Sequence, residues 1–240
     1  MRNFYFILIL TFSLSMNAYP QKDPYKIIDQ LKLKFEKVKD YETNARIKID
    51  VNFLKVPEAK AKIYFKKPDK IKMESEGFAM LPKEGLNFLP DKFLGEDITA
   101  IYTGSNVIDE DTLSTIKIIP NNDSSKVVLS KLWIDEDNSL IRKVETTTKK
   151  RGTFTVELFY GKQIHFGLPD SVILSFNVNN VPVPNSITGE VQTQSERKRK
   201  ERFSGPMVGK VKVFYSDYKI NVGLSDDLFD KKKNTGKETE

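Results

Sequence analysis

Apolar residues recur along this chain with two different periods, and the change from one to the other divides it. After Asp23 and Pro24, the residues Ile27, Ile28, Leu31, Phe35 and Val38 return every three or four positions, the spacing that puts side chains on one face of an α-helix. Asp23 is suited to accept from the free N–H groups of a first turn, and Pro24 suits the first helical position, where its missing N–H removes no bond. The pattern predicts one amphipathic helix ending near Asp40. The period then drops to two. Ala45, Ile47, Ile49, Val51 and Phe53 alternate with Arg46, Lys48, Asp50 and Asn52, as in a long strand with one dry face and one wet face.

The alternation persists. Ala59, Ala61, Ile63 and Phe65 predict a second strand, and Ile71 with Met73 a third. Between them Pro68-Asp69 reads as a turn, because proline cannot donate to a strand ladder. Further strands are expected at Ile98 to Tyr102, Thr112 to Ile119, Val127 to Ile134, Thr153 to Tyr160, Val172 to Val178 and Lys210 to Tyr218. The stretch WIDEDNSLIRKVE (133–145) reads as strand, acidic turn and strand. About ten strands with no intervening helices imply an antiparallel meander, and a sheet of that size must curl or close on itself to hide its edges. The fold class is therefore mainly β (α+β).

Three stretches depart from this pattern. From Gly77 to Gly95 the chain carries Phe78, Met80, Leu81, Leu86, Phe88, Leu89, Phe93 and Leu94, punctuated by Pro82, Gly85 and Pro90. That is too interrupted for a regular helix or strand. It reads either as a cover or lining for a greasy cavity, or as a plug packed under a long loop. Residues 180–208 are rich in Pro, Ser, Thr, Gln and charge and read as a mobile insertion. Residues 230–240 read as a solvated tail.

The N-terminus has the form of a secretory signal, with Arg2 before the apolar run Phe4 to Leu14 and small and polar residues to Ala18. The run is short for about 30 Å of hydrocarbon. The expected organisation is a signal peptide over 1–18 cleaved after Ala18, a single domain over 19–229 and a tail over 230–240; an uncleaved anchor is the other reading.

Composition narrows the chemistry. With 39% hydrophobic and 30% charged residues the chain reads as a globular protein rather than a disordered one. Its net charge of +6 is uneven, since the single run Glu196 to Arg202 (ERKRKER) contributes +3 of it. The rest is near neutral, which gives no general support to nucleic-acid binding. The basic run, with Arg197, Lys198, Arg199, Lys200 and Arg202, reads as a solvated loop or as a contact for anionic lipid headgroups. The absence of cysteine excludes disulfides, thiol catalysis, cysteine zinc sites and an acylated cysteine. His165 is the only histidine, so His-pair metal sites and conventional triads are hard to build. The acidic triplets at 109–111 and 135–137 look like turns, and no glycine-rich phosphate loop is present. The expectation is a protein that is not an enzyme and needs neither metal nor cofactor.

The order of these elements resembles the LolA-like outer-membrane lipoprotein carrier proteins, whose fold also occurs in LolB-type receptors and RseB-type periplasmic regulators. The resemblance rests on an amphipathic helix, the strand headed by DYETNARIKI, the strand and turn FKKPDKIKME, the apolar segment after it, LWIDEDNSLIRKVE and TFTVELFY. It covers most of residues 23–160, and more loosely extends to Phe229. It implies a half-closed barrel of about eleven strands, with an N-terminal helix and a lid segment, around a hydrophobic cavity that holds acyl chains of lipoproteins or lipids. Each methylene moved from water into such a cavity contributes about 0.8 kcal/mol, so one C16 chain gains on the order of 10 kcal/mol before ordering costs.

On that resemblance the cavity and lid candidates are Phe53, Ile63, Phe65, Ile71, Met73, Phe78, Met80, Leu81, Phe88, Leu89 and Trp133, with core packing as the other reading of each. Lys67 takes the place before the proline where family members often carry an arginine thought to tie the lid shut; its ammonium lacks the planar guanidinium fork. The implied role is a monomeric periplasmic carrier that takes lipids or lipoproteins from an inner-membrane donor complex to an outer-membrane acceptor. The alternatives are a regulatory or sensor module of RseB type bound to a protein partner, or an exported protein that binds anionic surfaces.

Overall fold

A computed structural model of the chain describes residues 22–51, 54–55, 57–76, 97–108, 110–150, 152–178 and 207–230. Helix α1 (Pro24–Glu36) begins as the pattern predicts. The Asp23 carboxylate accepts from the Tyr25 N–H at 2.9 Å, and Pro24 occupies the first turn. The helix stops sooner than the apolar spacing suggested, because Asp40 already belongs to the first strand.

The strands are β1 (Asp40–Val51), β2 (Leu54–Lys55), β3 (Ala59–Lys66), β4 (Lys70–Glu76), β5 (Ile98–Ile108) and β6 (Asp111–Pro120). They continue as β7 (Val127–Asp135), β8 (Leu140–Thr148), β9 (Gly152–Phe159), β10 (Ser171–Val178) and β11 (Met207–Ile220). Ten of them form one antiparallel path in the order β4-β3-β1-β11-β10-β9-β8-β7-β6-β5, and the short β2 pairs with the end of β1. The path does not close. It is a curled half-barrel with β4 and β5 at its edges, in agreement with the expected class.

One non-local pairing organises this order. Strand β11 returns from the end of the domain to lie between β1 and β10, with Ile47 opposite Val213 and Val172 opposite the same Val213. The corner between α1 and β1 is fastened to the chain leaving β11. Buried Asp40 accepts from the Val222 N–H at 2.8 Å and the Gly223 N–H at 3.0 Å, while the Asn221 side chain donates to Lys37 O and accepts from Lys39 N. Asn221 and Gly223 stand at φ 57° and 77°, a left-handed bend that asparagine and glycine adopt most readily.

Alternation along each strand sorts the side chains onto two faces, and α1 covers part of the concave one. Ile27, Ile28 and Leu31 pack with Ile116, Ile118, Leu132, Ile134, Val144 and Val172 from the β5–β10 side. Phe35 and Val38, toward and beyond its C-terminal end, pack with Phe65 and Leu168.

Candidate hydrophobic binding face

A second apolar cluster occupies the remaining concave surface, on β1, β3, β11 and β10, and contains no residue of α1. Its floor is built from Ala45, Ile47, Ala59, Ala61, Ile63, Val211 and Val213. The register sets Ala45 opposite Ala61 and Ile47 opposite Ala59, so each cross-strand pair includes an alanine. Alanines leave space above a sheet that leucine or phenylalanine would fill. Around this floor stand Tyr41, Ile49, Met73, Leu174, Phe176 and Tyr215, all half-buried. The arrangement is a low apolar floor with a taller apolar and aromatic rim.

Gly209 shows how closely one side of that rim is set. A Cβ on it would lie 2.6 Å from both the Phe176 ring and Val51 Cγ1, so only glycine admits the Phe176 ring against the β11 backbone.

The tyrosines form a chain across the junction of the three clusters. Tyr41 lies 5.6 Å from Tyr218, ring to ring, and Tyr218 lies 5.9 Å from Tyr215. A register irregularity of β11 against β1 falls beside Ser216, and Asp217 there has a φ of 56°. Such a bulge shifts the alternation by one, so Tyr215 and Tyr218 both reach the apolar clusters. Burial raises Tyr41, Tyr160, Tyr215 and Tyr218 above the ordinary tyrosine value, so all four hydroxyls are protonated donors at neutral pH.

The residues expected at a cavity divide among three places. Ile63 lies in the floor of the second cluster and Met73 on its rim. Phe65 is fully buried between Phe35 and Tyr41, with ring centroids at 5.9 and 5.2 Å, and Ile71 packs in the same helix-capped cluster. Trp133 does not join either group. Its neighbours Leu132 and Ile134 point into the helix-covered core, whereas Trp133 lies on the other face beneath Lys131 and Lys143, whose Nζ atoms are 4.5 and 5.0 Å from its ring. Its burial comes from lysine stems and sheet neighbours.

Lys67 Nζ stands 5.4 Å from the centre of the Phe35 ring, near the end of α1, and its N–H donates to Lys39 O at 2.9 Å. Phe53, Phe78, Met80, Leu81, Phe88 and Leu89, and the basic residues Arg197, Lys198, Arg199, Lys200 and Arg202, lie outside the described residues. The pattern had not singled out Tyr41, Leu174, Phe176 or Tyr215. Leu174 and Phe176 were readable from the alternation of β10; the two tyrosines were not, because the β11 irregularity decides their face.

Charge stays at the margins. Lys66 and Lys70, at the β3–β4 turn, hold Asp226 at 2.8 and 2.9 Å, and Lys66 also donates to Leu224 O. These bonds bring the Asp226 carboxyl down to about 2. A polar depression of about 400 Å³ lies between α1 and the β7–β8 turn, lined by Gln30, Lys34, Lys37, Asn138 and His165 among others. Its polar walls do not suit a hydrocarbon chain. Among the described residues no group of three or more His, Asp or Glu is placed to hold a metal, and no helix is long and apolar enough to cross a membrane.

No protein-family model matches the chain, and no curated protein sequence does either. Solved structures do. A domain named for outer membrane lipoprotein sorting, from Vibrio parahaemolyticus, matches with a TM-score of 0.58 at 12% identity, over 85% of this chain and 94% of that one. A DUF1329 family protein from Desulfovibrio piger matches with a TM-score of 0.55 at 13% identity, over 87% and 98%. A LolA superfamily protein from Nitrosomonas europaea matches with a TM-score of 0.52 at 11% identity, over 88% and 98%. The chain thus has the fold that its sequence resemblance implied.

Proposed function

We propose that this protein is a periplasmic carrier that takes up acyl chains of lipids or lipoproteins on the concave face bounded by Tyr41, Ile49, Met73, Leu174, Phe176 and Tyr215, and moves them toward the outer membrane. The observation that carries this reading is the division of the concave face into two apolar clusters, only one of which includes α1. One half of that face is closed by Ile27, Ile28 and Leu31 of α1, and the other half has an alanine-lined floor with a half-buried apolar rim.

Such a surface recognises hydrocarbon without hydrogen bonds or metal, since transfer of methylenes from water supplies the affinity. It also lets cargo go. Affinity made of non-directional contacts is matched by any other apolar surface, so a partner or bilayer with a comparable surface competes for the same chain. The carrier works as a monomer and without catalysis, between an inner-membrane donor and an outer-membrane acceptor. The segment 77–96 joins β4 to β5, the two edge strands, and in this reading its Phe78, Met80, Leu81, Phe88 and Leu89 form the lid. Residues Arg197 to Arg202 give the anionic membrane contact.

A transfer experiment tests the proposal. Donor vesicles carrying a quenched fluorescent diacyl lipid are mixed with unlabelled acceptor vesicles, and dequenching is followed with and without the mature protein. Transfer that rises with protein concentration supports a carrier. A rate equal to spontaneous exchange, under conditions where the protein is folded, contradicts it.

A further inference from the structure

Tyr41, Tyr160, Tyr215 and Tyr218 differ in one respect. Tyr218 donates its hydroxyl to Pro169 O at 2.9 Å, and Tyr160 donates to Ile141 O at 2.8 Å. The hydroxyls of Tyr41 and Tyr215 have no hydrogen-bond partner among the described residues, although their rings pack on the same apolar clusters. A polar group surrounded by apolar side chains is ordinarily paired, and one left unpaired weakens the fold. Phenylalanine would give the same ring packing without that penalty. Two such residues on the rim of one apolar floor, flanking Tyr218, therefore point to an acceptor that arrives from outside the chain.

We propose that Tyr41 and Tyr215 recognise the acyl carbonyls of the cargo, donating their hydroxyls to the ester groups that join its chains to a glycerol-type head. This rests on the acyl-carrier reading and adds a chemical class to it: the ligand is an esterified lipid rather than a free fatty acid or plain hydrocarbon. Two arguments select a neutral carbonyl. A protonated tyrosine donates and a carbonyl only accepts, so the two are complementary. The rings of Phe65 and Tyr218 lie beside Tyr41, the Tyr218 ring also lies beside Tyr215, and the Asp170 carboxylate is close enough to act on Tyr218. A carboxylate brought here would meet these uncharged rings and would be repelled by Asp170.

The test compares two ligands that differ only in those carbonyls: dipalmitoylglycerol and the corresponding dihexadecyl ether. Dissociation constants are measured by displacement of a fluorescent acyl probe from the parent, Tyr41→Phe, Tyr215→Phe and the double variant. A neutral hydrogen bond corresponds to roughly threefold to tenfold in affinity. The parent is expected to bind the ester at least about tenfold more tightly than the ether, each single variant to lose part of that preference, and the double variant to bind both alike. Ether binding stays unchanged throughout. The variants should melt at or above the parent temperature, whereas Tyr218→Phe, which removes a paired hydroxyl, melts lower. Equal ester preference in the parent and the double variant overturns the assignment while leaving the apolar site intact. Binding of neither the ester nor the ether by the parent overturns the carrier reading and this one with it.

Discussion

Placing an aspartate at two apolar positions of the concave face separates a binding wall from a packed core. Ile116 is fully buried under α1. An aspartate there either stays charged in an apolar interior or takes up a proton, and protonation sets the ceiling of the cost. Raising a carboxyl from its ordinary value of about 3.9 past pH 7 costs about 4 kcal/mol, at 1.36 kcal/mol per unit. Loss of the isoleucine burial adds about 2 kcal/mol. Together these approach the whole stability of an ordinary domain, about 5–15 kcal/mol. Met73 is only half-buried, on the rim of the second cluster. Its aspartate keeps contact with water, and the expected cost is about 1–2 kcal/mol.

Urea unfolding at pH 7 should therefore find Met73→Asp folded and Ile116→Asp unfolded or nearly so. The pH dependence provides an internal check. A folded-state carboxyl raised above its unfolded value destabilises most at high pH and is relieved as pH falls toward 4, so Ile116→Asp should regain stability on acidification and Met73→Asp should change little. Uptake of a fluorescent diacyl lipid should be cut in Met73→Asp despite its retained fold. Equal loss of stability in the two variants would show that Met73 is core, and undiminished uptake by Met73→Asp would show that the second cluster is not where the chain binds.

Three further outcomes follow from particular contacts. Asp40→Ala removes the acceptor of the Val222 and Gly223 N–H groups at a buried corner and should lower stability by about 3 kcal/mol in chemical denaturation; a change within 0.5 kcal/mol would mean that the corner holds without it. Asp226, exposed but held down to about 2 by Lys66 and Lys70, contributes stability that is present above its ordinary 3.8 and lost as pH falls toward 2. The melting-temperature gap between the parent and Asp226→Asn should accordingly close over that interval, and a constant gap would count against the ion pairs. Gly209→Ala drives a methyl into Phe176 and Val51 and should cost about 1–3 kcal/mol by overpacking, with weakened acyl binding as the rim moves; an unchanged unfolding midpoint would refute the close approach.

Much of the scaffold was legible because it is written in short-range periods. The alternation Ala59, Ala61, Ile63, Phe65 gave β3 directly, Pro68 and Asp69 marked its turn, and Asp23-Pro24 marked the start of α1. Where long-range contacts decide, the reading fell short. The helix pattern ends near Asp40 without showing that the Asp40 carboxylate is claimed by Val222 and Gly223, about 180 residues away along the chain. Period two says that Trp133 and its neighbours Leu132 and Ile134 face opposite ways without saying which way is inward, so the tryptophan was grouped with the cavity although it lies under Lys131 and Lys143 on the other face. Tyr215 and Tyr218 sit an odd number of residues apart and would be assigned to opposite faces; the β11 irregularity near Asp217 brings both to the apolar clusters. The expected lid and the basic run lie wholly outside the described residues, and their roles rest on the proposal above.

Native mass spectrometry of the protein purified from its own cells without added lipid tests the central claim most directly. The account predicts a population heavier than the polypeptide by the mass of one diacyl species, released on gentle activation and identified as an ester-linked lipid or lipoprotein fragment in the organic extract. A single species at the bare polypeptide mass, with no acyl chains in the extract and none taken up when diacyl lipid is offered, would contradict it.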